Sequence, residues 1–303
     1  PRLVAGSKYA LRLPIGKDEV LKTFPYDALK RFYKTWYRPD LMGVAVVGDI
    51  DSATAMQYLR KHFAGIPAVA NPRPRIYEKI NDRNKSEAMV VTDKEATNGR
   101  LLLMFPYAEK KPMKTAVDYR DKIVRELTLS MLNKRLSDLA RGADSPFPMA
   151  FMGFNDLIRG YENFYCMTLF GENGPEKPLQ AMVAELIRAR KYGFTQDELD
   201  VASREMYAAY EKLFTERNTR DSKDIIEEYI SHFLDDEPVP GIETEFAWTK
   251  GFLFGIKLEE INKLMKSITG KDKIFSLISA PEKDGVNLPK EKELQKMTER
   301  AFK

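Results

Sequence analysis

Apolar positions along the chain switch between two periods, and the switches mark out its elements. Leu29, Phe32, Tyr33 and Trp36 recur at i, i+3, i+4 and i+7, which puts them on one face of a helix over residues 28–37. Asp27 offers its N-cap and Pro39 its stop. Residues 44–47 are a short apolar run without polar alternation, the pattern of a strand covered on both faces. After Gly48-Asp49-Ile50, Asp51 or Ser52 caps a second helix. On it Met56, Leu59 and Phe63 step by three and four, with Gly65 at the end. Ahead of this unit, residues 1–25 read as loop and turn around Gly6-Ser7-Lys8-Tyr9 and Pro14-Ile15-Gly16, with a short helix at 18–22.

Pro67, Pro72 and Pro74, followed by the polar run 81–85, break this pattern, since proline cannot donate to a ladder and disfavours helix before it. The expected division is residues 1–70, a linker at 71–85 and a second domain over 86–303. Residues 87–92 and 100–107 read as strands with Asn98-Gly99 as the turn signal between them. A long helix follows at 114–140. Strands at 151–154 and 163–170 are joined through Arg159-Gly160, and a helix at 176–192 ends at Gly193. Thr195 and Glu198 form a capping-box pattern for a helix reaching residue 214. Helices at 221–234, 243–254 and 258–268, a late strand at 274–279 and a closing helix at 290–302 complete the chain. This order predicts an α/β protein of α+β type, with a mainly antiparallel sheet, paired largely by hairpins, covered by helices. The first segment is too short for such a domain and reads as the back end of one.

Composition narrows the function classes. With 43% apolar and 31% charged residues the chain is globular rather than disordered. Its 49 basic and 45 acidic side chains leave a net +4 and no long basic block, which argues against nucleic acid or a membrane surface as partner. No apolar run approaches the ~20 residues that span a bilayer. The single cysteine, Cys166, excludes an internal disulfide. The chain opens at Pro1-Arg2 with neither Met nor an apolar signal region, as an excised or mature piece that has lost any targeting segment would.

Candidate chemistry is sparse. His62 and His232 have no second His or Cys at ligand spacing, so neither reads as a zinc ligand. Asp49 and Asp51 form a carboxylate pair, but a Gly-Asp turn followed by a capping Asp explains both. The Asp235-Asp236-Glu237 cluster lacks the alternating ligands and glycine of a calcium loop. Gly171-Glu172-Asn173-Gly174 lacks the Gly-Lys-Ser/Thr of a phosphate loop. Cys166 reads as buried and inert, and no Gly-x-Ser-x-Gly elbow is present. No catalytic residue and no metal ligand is assigned within this chain.

Several segments nonetheless resemble the pitrilysin/insulinase family of zinc metallopeptidases, the inverted HxxEH type. They are Gly6-Ser7-Lys8-Tyr9 with Arg12-Leu13-Pro14-Ile15-Gly16, and Phe32-Tyr33 with Trp36-Tyr37-Arg38-Pro39. Val46-Val47-Gly48-Asp49-Ile50-Asp51 and the strand from Leu101 to Pro106 follow, then Leu132-Asn133-Lys134-Arg135-Leu136 and Gly193-Phe194-Thr195-Gln196-Asp197-Glu198-Leu199. These landmarks fall in family order over nearly the whole chain.

The resemblance implies a fold like that of LuxS and mitochondrial processing peptidase. It also implies that zinc, its HxxEH ligands and the water-activating Glu belong to a part of the parent upstream of these segments. This chain would then hold no cofactor and act as scaffold and substrate-chamber wall. A non-catalytic processing-peptidase-like partner or structural subunit is the alternative, and an unrelated α/β binding module a third. The family's Arg and later Tyr that touch substrate correspond only in part. Arg141 follows the long helix, where it also reads as a helix C-terminal charge, and Phe147 stands near the expected Tyr, so these two are the possible substrate contacts. Implied partners are a peptide substrate and the remaining domains of the same protein or a homologous subunit, in a periplasmic or cell-envelope setting.

Overall fold

In a computed structural model of the chain, residues 2–12, 15–81, 83–268, 273–283 and 287–303 are described; Leu13 and Pro14 of the first turn segment lie outside them. In chain order the elements begin with helices α1 (Lys8–Leu11), α2 (Asp18–Thr23), α3 (Tyr26–Trp36) and α4 (Ser52–Phe63). Strands β1 (Glu87–Asp93), β2 (Gly99–Met104) and β3 (Ala108–Glu109) precede the long α5 (Ala116–Arg141), then β4 (Ala150–Ile158) and β5 (Tyr161–Phe170). Helices α6 (Glu176–Tyr192), α7 (Gln196–Thr215), α8 (Ser222–Asp235), α9 (Ile242–Leu253) and α10 (Leu258–Ile268) lead to β6 (Phe275–Pro281) and α11 (Glu291–Ala301). Two compact units result: Pro1–Asn81 with Asn218–Val239, and Asp82–Arg217 with Pro240–Lys303.

The first unit has almost no interior. Its buried described residues are Val4, Ser7 and Arg38, while Leu29, Phe32 and Tyr33 on the apolar face of α3 are exposed. Arg38 is its best-anchored side chain: Nη2 donates to the Arg73 carbonyl at 2.6 Å, and Nε lies 3.1 Å from Asp40 Oδ1. That Nε–carboxylate pair is close but poorly aligned for a hydrogen bond. The Arg38 and Arg73 guanidinium groups lie 5.7 and 5.6 Å from the Trp36 ring centre, which ties the proline-rich stretch to α3. Three expectations change here. A one-turn helix, α1, occupies the first turn segment. Pro25, not Asp27, precedes α3, and Asp27 sits in its first turn, where the helix dipole favours a carboxylate. The strand expected at residues 44–47 does not form: residues 42–47 run beside no second strand among the described residues, so their peptide groups have no ladder, and Val44 and Val46 are half exposed. Asp51 does cap α4, accepting the Thr54 N–H at 2.9 Å.

The second unit carries the core. Its sheet runs β1-β6-β2-β5 with β4 and β3 also on β5; only the β1–β6 pair is parallel. The expected β1–β2 hairpin is replaced, because β6 arrives late in the chain and inserts between the two strands. Gly99 serves packing instead of a turn: a Cβ there would run into the Phe170 ring on the paired strand. The turn itself is made by Asp93, whose side chain accepts the Glu95 N–H at 2.8 Å. The β4–β5 hairpin forms as the sequence predicts. Along α5, Tyr119, Ile123, Leu127, Met131, Leu132 and Leu136 are buried at helical spacing, and Thr115 with Asp118 makes a capping box at its start. They pack with Leu179, Met182 and Leu186 of α6 and with Leu101, Leu103, Cys166 and Ile278 of the sheet.

Arg120 fastens α10 to α5. Its Nη1 and Nη2 donate to Glu260 at 2.8 and 2.9 Å. With help from the Lys257 N–H, this holds the Glu260 carboxyl down at about 2. A carboxyl held below its ordinary 4.5 stabilises the fold fully above that pH and loses its contribution as the pH falls toward 2. The pair is partly exposed, so Glu260→Gln is expected to cost no more than about 1 kcal/mol at pH 7. Urea titrations at pH 7 and pH 3 should show that difference shrinking in acid.

Candidate functional site

The sequence-marked residues do not converge. Arg141, the last residue of α5, is exposed and lies 4.0 Å from Asp138. Phe147 is 2% exposed and belongs to the core, which leaves Arg141 as the surface member of the pair. His62 stacks on Tyr58 in α4 at 6.5 Å, and His232 Nδ1 lies 2.7 Å from the Glu237 carbonyl. Cys166 is fully buried in β5, and burial pushes its thiol well above the usual range, away from thiolate chemistry. Asp236 closes α8 in a left-handed conformation. Among the described residues no group of three or more His, Cys, Asp or Glu side chains is placed to hold a metal ion, so the donor set zinc requires does not fit here.

Two of the family-like segments do meet. Arg135 on α5 donates through Nε and Nη2 to Glu198 at 2.5 and 2.8 Å, through Nη1 to Glu185 at 3.3 Å, and through Nη2 to the Gly193 carbonyl at 3.1 Å. Its guanidinium lies 4.6 Å from the Phe194 ring centre. Glu198 also closes the Thr195 capping box. Burial pushes the Glu198 carboxyl up, but Arg135 and Thr195 outweigh it and hold the group below its ordinary value. Beside Arg135, Asn133 donates to the Met152 carbonyl and accepts the Met152 N–H, both at 2.8 Å, and so clamps the outer edge of β4. The cleft of about 620 Å³ next to this cluster is lined by groups already engaged with one another. The motif residues are thus structural: Leu132 and Leu136 fill the core, and Asn133 and Arg135 join elements.

The surface with binding chemistry is the sheet face turned away from the helices. Leu101, Leu103, Cys166 and Ile278 point into the helical side and are fully buried, so the alternate residues point the other way. Register then lines up Met89, Leu277, Leu102, Met167 and Phe151 in one row across five strands. All five are apolar and partly exposed, Phe151 by 41%. Phe151 leans on Tyr165, with ring centres 6.1 Å apart, and burial pushes the Tyr165 hydroxyl up. The adjacent row is Val91, Ser279, Arg100 and Leu169; Arg100 is exposed and has no ion-pair partner among the described residues. On the other side Arg83 closes the face. It donates to the Met104 and Lys273 carbonyls at 2.9 and 3.1 Å and lies over Phe275. Such a face can take apolar side chains of an extended chain and, at Arg100, one carboxylate. The sequence reading missed it because partly buried alternate positions look the same whether or not anything covers them.

Comparison with known proteins identifies the family. The model of the peptidase M16 inactive domain matches residues 23–206. A zinc protease PQQL-like protein of Arabidopsis thaliana is 28% identical over 267 residues, 88% of this chain and 25% of that protein. The probable zinc protease PqqL of Haemophilus influenzae is 25% identical over 284 residues, 92% of this chain and 30% of that protein. The crystal structure of the first half of the periplasmic protease PqqL from Escherichia coli superposes with a TM-score of 0.85 at 19% identity, covering all of this chain and 64% of that one. The chain therefore spans between a quarter and a third of the length of the two sequence relatives.

Proposed function

The chain belongs to the peptidase M16 family, whose inactive-domain model matches residues 23–206, and from that premise we propose that it is a non-catalytic segment of a zinc metallopeptidase, acting as scaffold and as a wall of the substrate chamber. The observation that carries the reading is the partly exposed apolar row across the sheet, with Arg100 beside it. Peptide substrate lies against this face, held by side-chain burial and not by chemistry. Arg141 is a further contact at the end of α5. The exposed apolar face of α3 fits the closing part of a catalytic-type domain, with the rest of that domain, elsewhere in the parent, covering it. The zinc ligands lie in that other part, where the metal would activate water for attack on a peptide carbonyl. No step of hydrolysis runs through residues of this chain. The E. coli relative is a periplasmic protease, and the same compartment is proposed for the parent. No helix among the described residues is long and apolar enough to cross a membrane.

Metal analysis tests the division of labour. The purified chain is expected to carry no zinc above background, and the parent about one zinc per polypeptide with peptidase activity. A stoichiometric zinc on the chain alone would overturn the assignment. A parent without zinc and without activity would favour a non-catalytic processing-type subunit.

A further inference from the structure

Gly43 has no backbone reason to be glycine, since its φ lies outside the left-handed region, yet a Cβ there would lie 2.9 to 3.0 Å from the Phe233 ring. The ring therefore packs directly against residue 43, 190 positions away in sequence. Phe233 belongs to α8, which groups with the first unit although the sequence on both sides of it, up to Arg217 and from Pro240, belongs to the second.

We propose that residues 218–239 form a strap, looped out of the second unit's sequence, that closes on the extended segment 42–47 by seating Phe233 on Gly43. The strap is built to arrive as a formed helix. Asp221 caps its start by accepting the Lys223 N–H at 2.8 Å, and Arg220 pairs with Glu228 at 2.7 Å. At the other end Asp236, at φ 59°, donates its N–H to the His232 carbonyl, and His232 Nδ1 meets the Glu237 carbonyl. Segment 42–47, by contrast, has no strand beside it among the described residues, so packing against the Phe233 ring is the contact that seats it. A helix of 14 residues is marginal in water on its own, so its seat decides how firmly it is held.

Hydrogen exchange of the α8 amides in the full chain tests the strap. Gly43→Leu occupies the seat without changing the sequence of α8, and is expected to speed α8 exchange by about tenfold or more while β5 amides keep their rates. Phe233→Ala is expected to speed it as well. This is diagnostic, because alanine is the better helix former and a purely local effect would slow exchange. Unchanged α8 exchange in Gly43→Leu, or slower exchange in Phe233→Ala, overturns the proposal. Should either variant also loosen β5, the pair Gly43→Cys with Phe233→Cys decides. Mild oxidation is expected to join the two sites, with the fully buried Cys166 left unreacted, and failure to cross-link overturns the strap.

Discussion

Arg135→Ala is expected to lower stability by about 3 kcal/mol, the lower end of what breaking a buried ion pair costs. The guanidinium holds α5 to the start of α7 through Glu198 and to the end of α6 through Glu185 and the Gly193 carbonyl. Removing it leaves Glu185, 3% exposed, with Arg188 as its remaining partner, and strips Glu198 of both of its Arg135 hydrogen bonds. Arg135→Lys should recover only part of the loss, because an ammonium cannot present the fork that two carboxylates and a carbonyl share here. The midpoint of urea unfolding measures both, with an unchanged slope expected for a loss confined to the native state. A double-mutant cycle with Glu198→Gln should return a coupling of about 1 kcal/mol or more, since the two groups touch.

The second large effect separates two neighbours on one strand. Leu101 is fully buried against the helices, and Leu102 lies in the apolar row on the opposite face. Leu101→Glu places a carboxylate in the core with no partner, at a cost expected to exceed about 4 kcal/mol, enough to abolish cooperative unfolding. Leu102→Glu is expected to cost less than about 1 kcal/mol and to leave the thermal transition in place. In the peptidase proposed for the parent, the same Leu102→Glu should reduce peptide turnover through a raised KM, because it sets a charge in the surface proposed for apolar contact. Thermal unfolding of the two variants side by side, with peptidase assays of the parent, checks both halves.

Local rules made much of this molecule legible before its structure. The Thr195–Glu198 box, the Asp51 cap and the end of α6 at Gly193 each rest on contacts within a few residues, and each is present as read. Long-range pairing was not legible. Nothing in residues 87–107 announces that a strand from residue 275 onward will insert between β1 and β2. Gly99 looked like a turn residue because the need it meets, room for Phe170, lies some seventy positions away in sequence. The run at 44–47 has the composition of a buried strand, but composition cannot supply the neighbour a ladder requires. The candidate surface was hidden for a related reason. Alternation shows that β2 and β5 have two apolar faces, and only the structure shows which face the helices cover. The motif residues Asn133 and Arg135 were readable as a family mark, but their work, clamping β4 and joining α5 to α6 and α7, needed three-dimensional neighbours to see.

The most direct measurement places a photoreactive benzoylphenylalanine at position 102 of the full-length parent, with control positions at Val201 on the exposed side of α7 and at Tyr192. Illumination with a bound, non-hydrolysed peptide is expected to join peptide to position 102 and to neither control, in competition with unlabelled peptide. Peptide captured at Val201 or Tyr192 with none at position 102 would contradict a substrate-facing role for this sheet.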